Sequence, residues 1–237
     1  MKELVDFHSH ILPGVDDGSR SVEESLAMLR LSAAQGVRRM IATPHFYAHH
    51  DNPEDFFARR EKAFALLRDA MADEPGLPRI TLGAEVYYFN GISNAEILRD
   101  LAIGQSEYVL IEMPMPPWTD KMYRELEDIT RKQGVIPIIA HVDRYIRPLK
   151  TYGIPRRLEE LRLPVQANAS FFLQNSTARM ALKMLRQDKI HLLGSDCHNM
   201  DSRRPNMGQA VELIGRKLGP EVLGNIAGYE TRILENV

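Results

Sequence analysis

The chain has a single cysteine, Cys197, in 237 residues. That count excludes an internal disulfide and fits a reducing compartment. It also lacks an excess of one charge: 30 Lys and Arg against 32 Asp and Glu give a formal net charge of -2, without the basic footprint of a nucleic-acid-binding protein. No apolar run reaches membrane-spanning length, and Met1 leads into Leu4-Val5-Asp6-Phe7 with no charged-then-apolar signal segment. A cytoplasmic protein without membrane insertion is therefore expected. Low-complexity linkers are absent too, and with 44% hydrophobic residues the chain can bury a full core as one large domain or two small ones.

What is present is a regular alternation. Short runs rich in Val and Ile predict seven strands: Leu4 to His8, Arg38 to Thr43, Ile80 to Val86, Tyr108 to Met113, Val135 to Ala140, Pro164 to Ala169 and His191 to Gly194. Helical spacing falls between them, over Val22 to Gln35, Pro53 to Met71, Asn94 to Leu101, Thr119 to Gln133, Pro155 to Leu161 and Ser176 to Gln187, with two closing helices after Pro205. Gly36, Gly104 and Gly134 each follow a helical stretch, where a left-handed exit is expected. Such repetition predicts an α/β fold, a parallel sheet with crossover helices that curls toward a TIM-like barrel; an open doubly wound sheet is the alternative. No Gly-x-Gly-x-x-Gly follows the first strand, which argues against a dinucleotide site.

Six of these strands end in metal-ligating or ionisable residues: His8 and His10, His45, Glu85, Glu112, His141, and Asp196 with His198. The C-terminal strand ends are where parallel α/β folds build active sites. In an extended Asp6-Phe7-His8-Ser9-His10 the two imidazoles share a face and can grip one ion. Glutamates in apolar strands such as those of Glu85 and Glu112 need a cation or an ion-pair partner. With an aspartate from the Asp16-Asp17 pair, the imidazoles and carboxylates exceed the capacity of one ion and imply two or three. Nitrogen and oxygen donors without thiolate favour Mn, Fe, Zn or Co.

The runs His8-Ser9-His10-Ile11-Leu12-Pro13-Gly14-Val15-Asp16-Asp17-Gly18, Ala42-Thr43-Pro44-His45, Gly83-Ala84-Glu85, Ile111-Glu112, Ile139-Ala140-His141 and Ser195-Asp196-Cys197-His198-Asn199 resemble the PHP (polymerase and histidinol phosphatase) superfamily. Within it they are most similar to the bacterial protein-tyrosine phosphatases encoded with capsule and exopolysaccharide genes. The resemblance implies one domain over residues 1–237, a distorted (β/α)7 barrel and three metal ions at the C-terminal rim. Its ligand pattern falls on His8, His10, Asp17, His45, Glu85, Glu112, His141, Asp196 and His198, choosing Asp17 and leaving Asp16 as a turn residue. It implies phosphate binding by Arg144 and Arg203, with Arg147 and Arg204 as auxiliaries or plain surface charge. It further implies hydrolysis of phosphotyrosine, with phosphate as product, on the tail of an autophosphorylating bacterial tyrosine kinase that controls polysaccharide assembly. Relatives often carry glutamate where this chain has Asp143.

Cys197 to Arg203 also satisfies the Cys-x5-Arg spacing of thiol-dependent phosphatases, but no glycine lies between them to let backbone amides wrap a phosphate. Alternation around Cys197 predicts that its thiol points away from the site. His49 and His50 lie in a polar stretch, a solvated loop that borders the substrate mouth at most. His191 starts its strand and is expected to be structural. Trp118 and Tyr123 are candidates for an aromatic wall or for ordinary packing.

Overall fold

A computed structural model describes residues 3–146 and 153–235. Strand β1 (Leu4–Ser9) opens the chain, followed by α1 (Val22–Ala34), β2 (Val37–Ala42), β3 (His45–Phe46) and α2 (Pro53–Met71). Strands β4 (Arg79–Leu82) and β5 (Glu85–Tyr87) lead through two short 3-10 turns to β6 (Tyr108–Glu112), α3 (Asp120–Gln133) and β7 (Ile136–Ile139). The short α4 (Asp143–Ile146), α5 (Gly153–Glu160), β8 (Gln166–Asn168), α6 (Ala169–Leu173), α7 (Ala178–Arg186) and β9 (Leu192–Gly194) follow, and α8 (Met207–Leu218) and α9 (Pro220–Leu234) close the fold. No helix among the described residues is long and apolar enough to cross a membrane.

The helices form where the sequence supplies both a start and an apolar face. Asn52 caps α2 by accepting from the Glu54 and Asp55 amides, and Pro53 takes the first helical position, where its missing N–H costs nothing. Phe56, Ala63 and Leu67 bury one side of that helix, each large side chain contributing about 1.5–3 kcal/mol. Helix α3 starts at the Thr119 cap and stops at Gly134, whose φ of 66° gives a left-handed exit with its N–H on Thr130.

Every strand pair is parallel, in three sheets ordered β1-β2-β4, β3-β5-β6-β7 and β8-β9. Single bridges join Ser9 to Cys197 and Ile139 to Val165. The third predicted strand is interrupted, and the second, which ends near Thr43 as expected, is followed by a short extra strand, β3. Pro44, which has no amide to donate, separates β2 from β3, and Gly83-Ala84 separates β4 from β5. The outer halves re-pair with His45 opposite Glu85. Asn94 to Leu101, predicted as one helix, is instead 3-10 turns over Ile92–Asn94 and Glu96–Arg99.

A register shift in β1 between Asp6 and Ser9 turns the end of that strand against its neighbour, as β-bulges beside active sites commonly do. The His8 carbonyl accepts from Asp196 (2.8 Å) and the Cys197 carbonyl from His10 (2.9 Å), locking the β1 end to the segment after β9. Gly194 permits this approach: a Cβ there would lie 2.5 Å from His8 Cβ and 2.9 Å from its backbone nitrogen.

Candidate metal centre

The strand ends converge on Glu85, which is buried at the start of β5. Its Oε2 lies 3.1 Å from His8 Nε2, 3.2 Å from His10 Nε2 and 3.1 Å from His45 Nδ1, and its Oε1 lies 2.7 Å from His141 Nε2. Glu112, from the end of β6, is 3.4 Å from His141 and 3.9 Å from His45. Asp196 Oδ1 is 3.6 Å from each of His8, His10 and His198. Asp17, largely exposed, completes the outer edge at 3.4 Å from His198 Nε2 and 3.5 Å from His45 Nε2. Three overlapping groups have one donor per residue within 4.8 Å of the others: His10-Asp17-His45-His198, His8-His10-Glu85 and His45-Glu85-Glu112.

These donors fit metal ions. His8 Nε2 and His10 Nε2 face each other at 3.1 Å. Two imidazole lone pairs that close repel unless a proton or cation lies between them, and donors about 2.0–2.2 Å from a common ion sit at roughly this mutual spacing. His45 Nδ1 and His198 Nε2 are buried without a hydrogen-bond partner among the described residues, although each faces a carboxylate. Backbone strain gathers here as well: His141 and Asp196 have φ of 27° and 52°, a region most side chains avoid.

A surrounding layer orients the rings. Asp16 Oδ2 accepts from His10 Nδ1 at 2.7 Å and from the His45 amide at 3.0 Å, and Asp16 Oδ1 accepts from the Gly18 amide. Asp16 is thus more than the turn residue expected; it fixes the His10 imidazole and the His45 backbone while Asp17 faces the cluster. Gln166 Oε1 accepts from the His141 amide at 2.6 Å and lies 3.3 Å from His8 Nδ1. Its amide nitrogen donates to Asn168 Oδ1, and Asn168 Nδ2 in turn donates to Asp196 Oδ2 at 2.9 Å. Asp6 accepts from the Ser195 amide and hydroxyl and from the His8 amide, joining β1 to the segment after β9. Engaging Nδ1 elsewhere aims Nε2 of His8 and His10 at the cluster, the arrangement typical of ligating histidines. Gln166 and Asn168 were invisible to a search for ionisable strand ends; the available signal was two amides in a strand otherwise marked for burial.

Arg144 Nη1 reaches Glu112 at 3.1 Å and its Nη2 reaches Asp196 Oδ2 at 2.6 Å, while Arg203 Nη2 holds Asp196 Oδ1 at 2.7 Å. Both arginine side chains are about one-third exposed, at 36% and 35%, so each touches the cluster and the solvent together. Arg204 is exposed and Arg147 lies outside the described residues. Asp143 accepts from the Asn168 amide and so supports β8.

Electrostatics tie the cluster together. Burial opposes an imidazolium at His10, but Asp16 and Glu85 outweigh it and raise the group to about 10. Burial likewise opposes ionisation of Glu85, yet His8, His10 and His141 hold it well below the usual carboxylate range. His198 is pushed down to about 4 by burial and His10. Without metal, His10 therefore keeps its proton at neutral pH, and an ion must displace that proton to use the ring. Metal loading at pH 7 is expected to release at least one proton per chain, and affinity to rise with pH, about tenfold per unit for that proton while pH stays below 10. Calorimetry in buffers of different ionisation enthalpy measures the release; pH-independent uptake without proton release would contradict it.

Cys197 is fully buried, and burial and Asp6 push its thiol well up. The amides of His198 and Asn199 donate to the Arg203 carbonyl, and those of Asp201 and Arg203 to Asn199 Oδ1. Four amides of the segment after the thiol are thus engaged within that segment. Trp118 is not an open wall: its Nε1 donates to the Pro114 carbonyl and its ring packs 4.9 Å from Tyr145, which backs His141. Tyr123 is buried beneath Arg157. His191 Nδ1 accepts from the Val165 amide, and His49 and His50 are exposed.

Parallel strands ending in an imidazole–carboxylate cluster flanked by arginines define an α/β protein with a candidate multinuclear metal centre. Residues 4–234 match the family described as "Capsular polysaccharide synthesis, CpsB/CapC", and the chain belongs to that family. It is 32% identical over 226 residues to tyrosine-protein phosphatase CpsB of Streptococcus pneumoniae, covering 91% of each chain. To tyrosine-protein phosphatase YwqE of Bacillus subtilis it is 28% identical over 230 residues, covering 92% of this chain and 87% of the relative. A crystal structure from work on those two proteins, described as unique metal-dependent tyrosine phosphatases, superposes with a TM-score of 0.86 at 25% identity, covering 98% of this chain and 95% of the other.

Proposed function

We propose that this protein is a metal-dependent phosphomonoesterase that hydrolyses phosphotyrosine in proteins. The observation that carries this reading is the convergence of five histidines and four carboxylates on one rim, with Arg144 and Arg203 beside them. Family membership and the names of its relatives support the same conclusion. His8, His10, Asp17, His45, Glu85, Glu112, His141, Asp196 and His198 would hold two or three ions of Mn, Fe, Zn or Co. The single bridges from Ser9 to Cys197 and from Ile139 to Val165 would link the three sheets into a distorted seven-staved barrel, one domain throughout. An apolar cluster supports that closure, because Val5, Phe7, Ile41, Leu110, Ile138 and Leu192 come from strands of all three sheets and meet Ile233.

Bound ions supply a water acidic enough to lose its proton near neutral pH and positive charge against the phosphate. The chain's own residues do the rest. Arg144 and Arg203 present guanidinium forks to the solvent side, where they take the phosphate oxygens. Asp196, which both arginines contact, keeps the forks aimed before substrate arrives. Asp16 and Gln166 hold the rings of His10 and His8, and Asn168 holds the Asp196 carboxylate, so that few groups need move during the reaction. The leaving group sets the substrate preference: a phenolate, with conjugate-acid pKa about 10, departs with far less acid assistance than an alkoxide.

A bacterial tyrosine kinase of polysaccharide assembly, phosphorylated on its tyrosine-rich tail, is the proposed partner. The description of this chain's family, capsular polysaccharide synthesis, supports that choice. Metal-loaded protein should be offered a phosphotyrosine peptide, histidinol phosphate and a single-stranded oligonucleotide side by side. The peptide is expected to be cleaved fastest; faster cleavage of either other ester would overturn the assignment.

A further inference from the structure

The aromatic residues bordering the cluster are not the ones the sequence singled out. Tyr47 directly follows β3 and Tyr87 ends β5. Alternate residues of a strand share a face, so Tyr47 lies on the side of His45 and Tyr87 on the side of Glu85. The parallel register pairs His45 with Glu85 and Phe46 with Val86, and continuing it by one residue sets Tyr47 beside Tyr87. Their ring centroids are 5.8 Å apart, and the Tyr47 ring tilts over His45 at 5.2 Å. Each tyrosine therefore stands one rung outside a residue of the cluster.

Both rings are half-buried, and neither hydroxyl has a hydrogen bond among the described residues. The backbone holding Tyr47 is firm. Its amide donates to Asp51 Oδ2 at 2.8 Å, its carbonyl accepts from the His50 and Asp51 amides, and Arg59 pins Asp51 at 2.8 Å. The stretch read as a solvated loop is thus a braced turn that presents one aromatic face beside the cluster. Trp118 and Tyr123 are committed to packing and leave that role open.

We propose that Tyr47 and Tyr87 form the wall on which the phenyl ring of the substrate lies, and that this contact adds to the leaving group's preference for aryl over alkyl phosphate esters. The inference rests on the phosphotyrosine reading above. An aryl ester whose phosphate sits among the histidines and arginines has its ring one oxygen further out, level with the two tyrosines. Aromatic pairs at such separations gain beyond simple area burial, enough for a contribution of roughly threefold to tenfold per ring.

The test compares Tyr47→Leu, Tyr87→Leu and Tyr47→Phe with the parent protein, metal-loaded and matched for melting temperature and metal content. Phenyl phosphate and ethyl phosphate are the two substrates, and binding of phenylphosphonate and ethylphosphonate is measured by calorimetry. Each leucine variant is expected to lower the aryl-to-alkyl ratio of kcat/KM about fivefold, mainly through KM, and to weaken phenylphosphonate in parallel; Tyr47→Phe keeps the ratio. Equal losses on aryl and alkyl ligands, or an unchanged ratio, would overturn the wall. A parent protein that cleaves neither ester would overturn the phosphatase reading instead, and the phosphonate binding ratio would still decide the wall.

Discussion

Glu85→Gln is expected to abolish phosphotyrosine hydrolysis and to lower the bound metal by at least one ion per chain. The substitution conserves shape, so the loss reports charge. Among the described residues, Glu85 is the one carboxylate within about hydrogen-bonding distance of four imidazoles, His8, His10, His45 and His141. Those contacts hold it ionised despite complete burial. An amide offers one weaker acceptor and an NH2 group that His141 or His45 would have to face. Loss of an outer partner of a metal site typically costs 10–100-fold, so loss of a group at the centre should exceed about 100-fold. The measurements are steady-state hydrolysis of a phosphotyrosine peptide and elemental analysis of the purified variant. Full metal content with activity within about threefold of the parent would show that Glu85 is a structural ion-pair partner only.

The second large effect is the opposite response of the protein to chelator and to loss of its thiol. Exhaustive chelation is expected to bring hydrolysis to background, and Mn to restore it. Cys197→Ala, by contrast, should retain activity within about threefold, because it removes only a small buried group at a cost of about 1 kcal/mol of stability. The physical ground is local. Burial disfavours the thiolate, and four amides of the segment after it, those of His198, Asn199, Asp201 and Arg203, are already bonded to the Arg203 carbonyl and Asn199. The Cys-x5-Arg spacing is therefore an accident of placing a ligand-bearing segment beside an arginine. Hydrolysis that survives chelation but vanishes in Cys197→Ala would reverse the assignment.

The alternation of apolar runs and helical spacing carried the parallel α/β architecture because each crossover unit has its own period and its own glycine or cap. Helix α2 falls on its predicted bounds, since Asn52 and Pro53 mark its start unambiguously. Breaks inside apolar runs were harder to see. Gly83-Ala84 divides a predicted strand although the residues on both sides keep strand-like composition, and nothing local marks His45–Phe46 as a short strand that resumes after Pro44. The positive φ of His141 and Asp196 is hidden too, because the modest enrichment of His and Asp in that region does not single out these two positions. In the site, ionisable residues at strand ends were conspicuous because carboxylates and imidazoles in apolar strands lack a cheaper explanation. Asp16 was obscured by adjacency to Asp17, as a spacing argument cannot separate neighbours in a turn. Gln166 and Asn168 carry no charge and so left no such signal, and Tyr47 and Tyr87 become neighbours only through the β3–β5 register.

The most direct measurement is a titration of Mn into the chelated protein, following phosphate release from a phosphotyrosine peptide together with metal bound per chain. Hydrolysis is predicted to be absent from the metal-free protein and to rise with bound metal until two or three ions per chain are reached. Hydrolysis by the metal-free protein, or full occupancy with no phosphate released, would contradict the account.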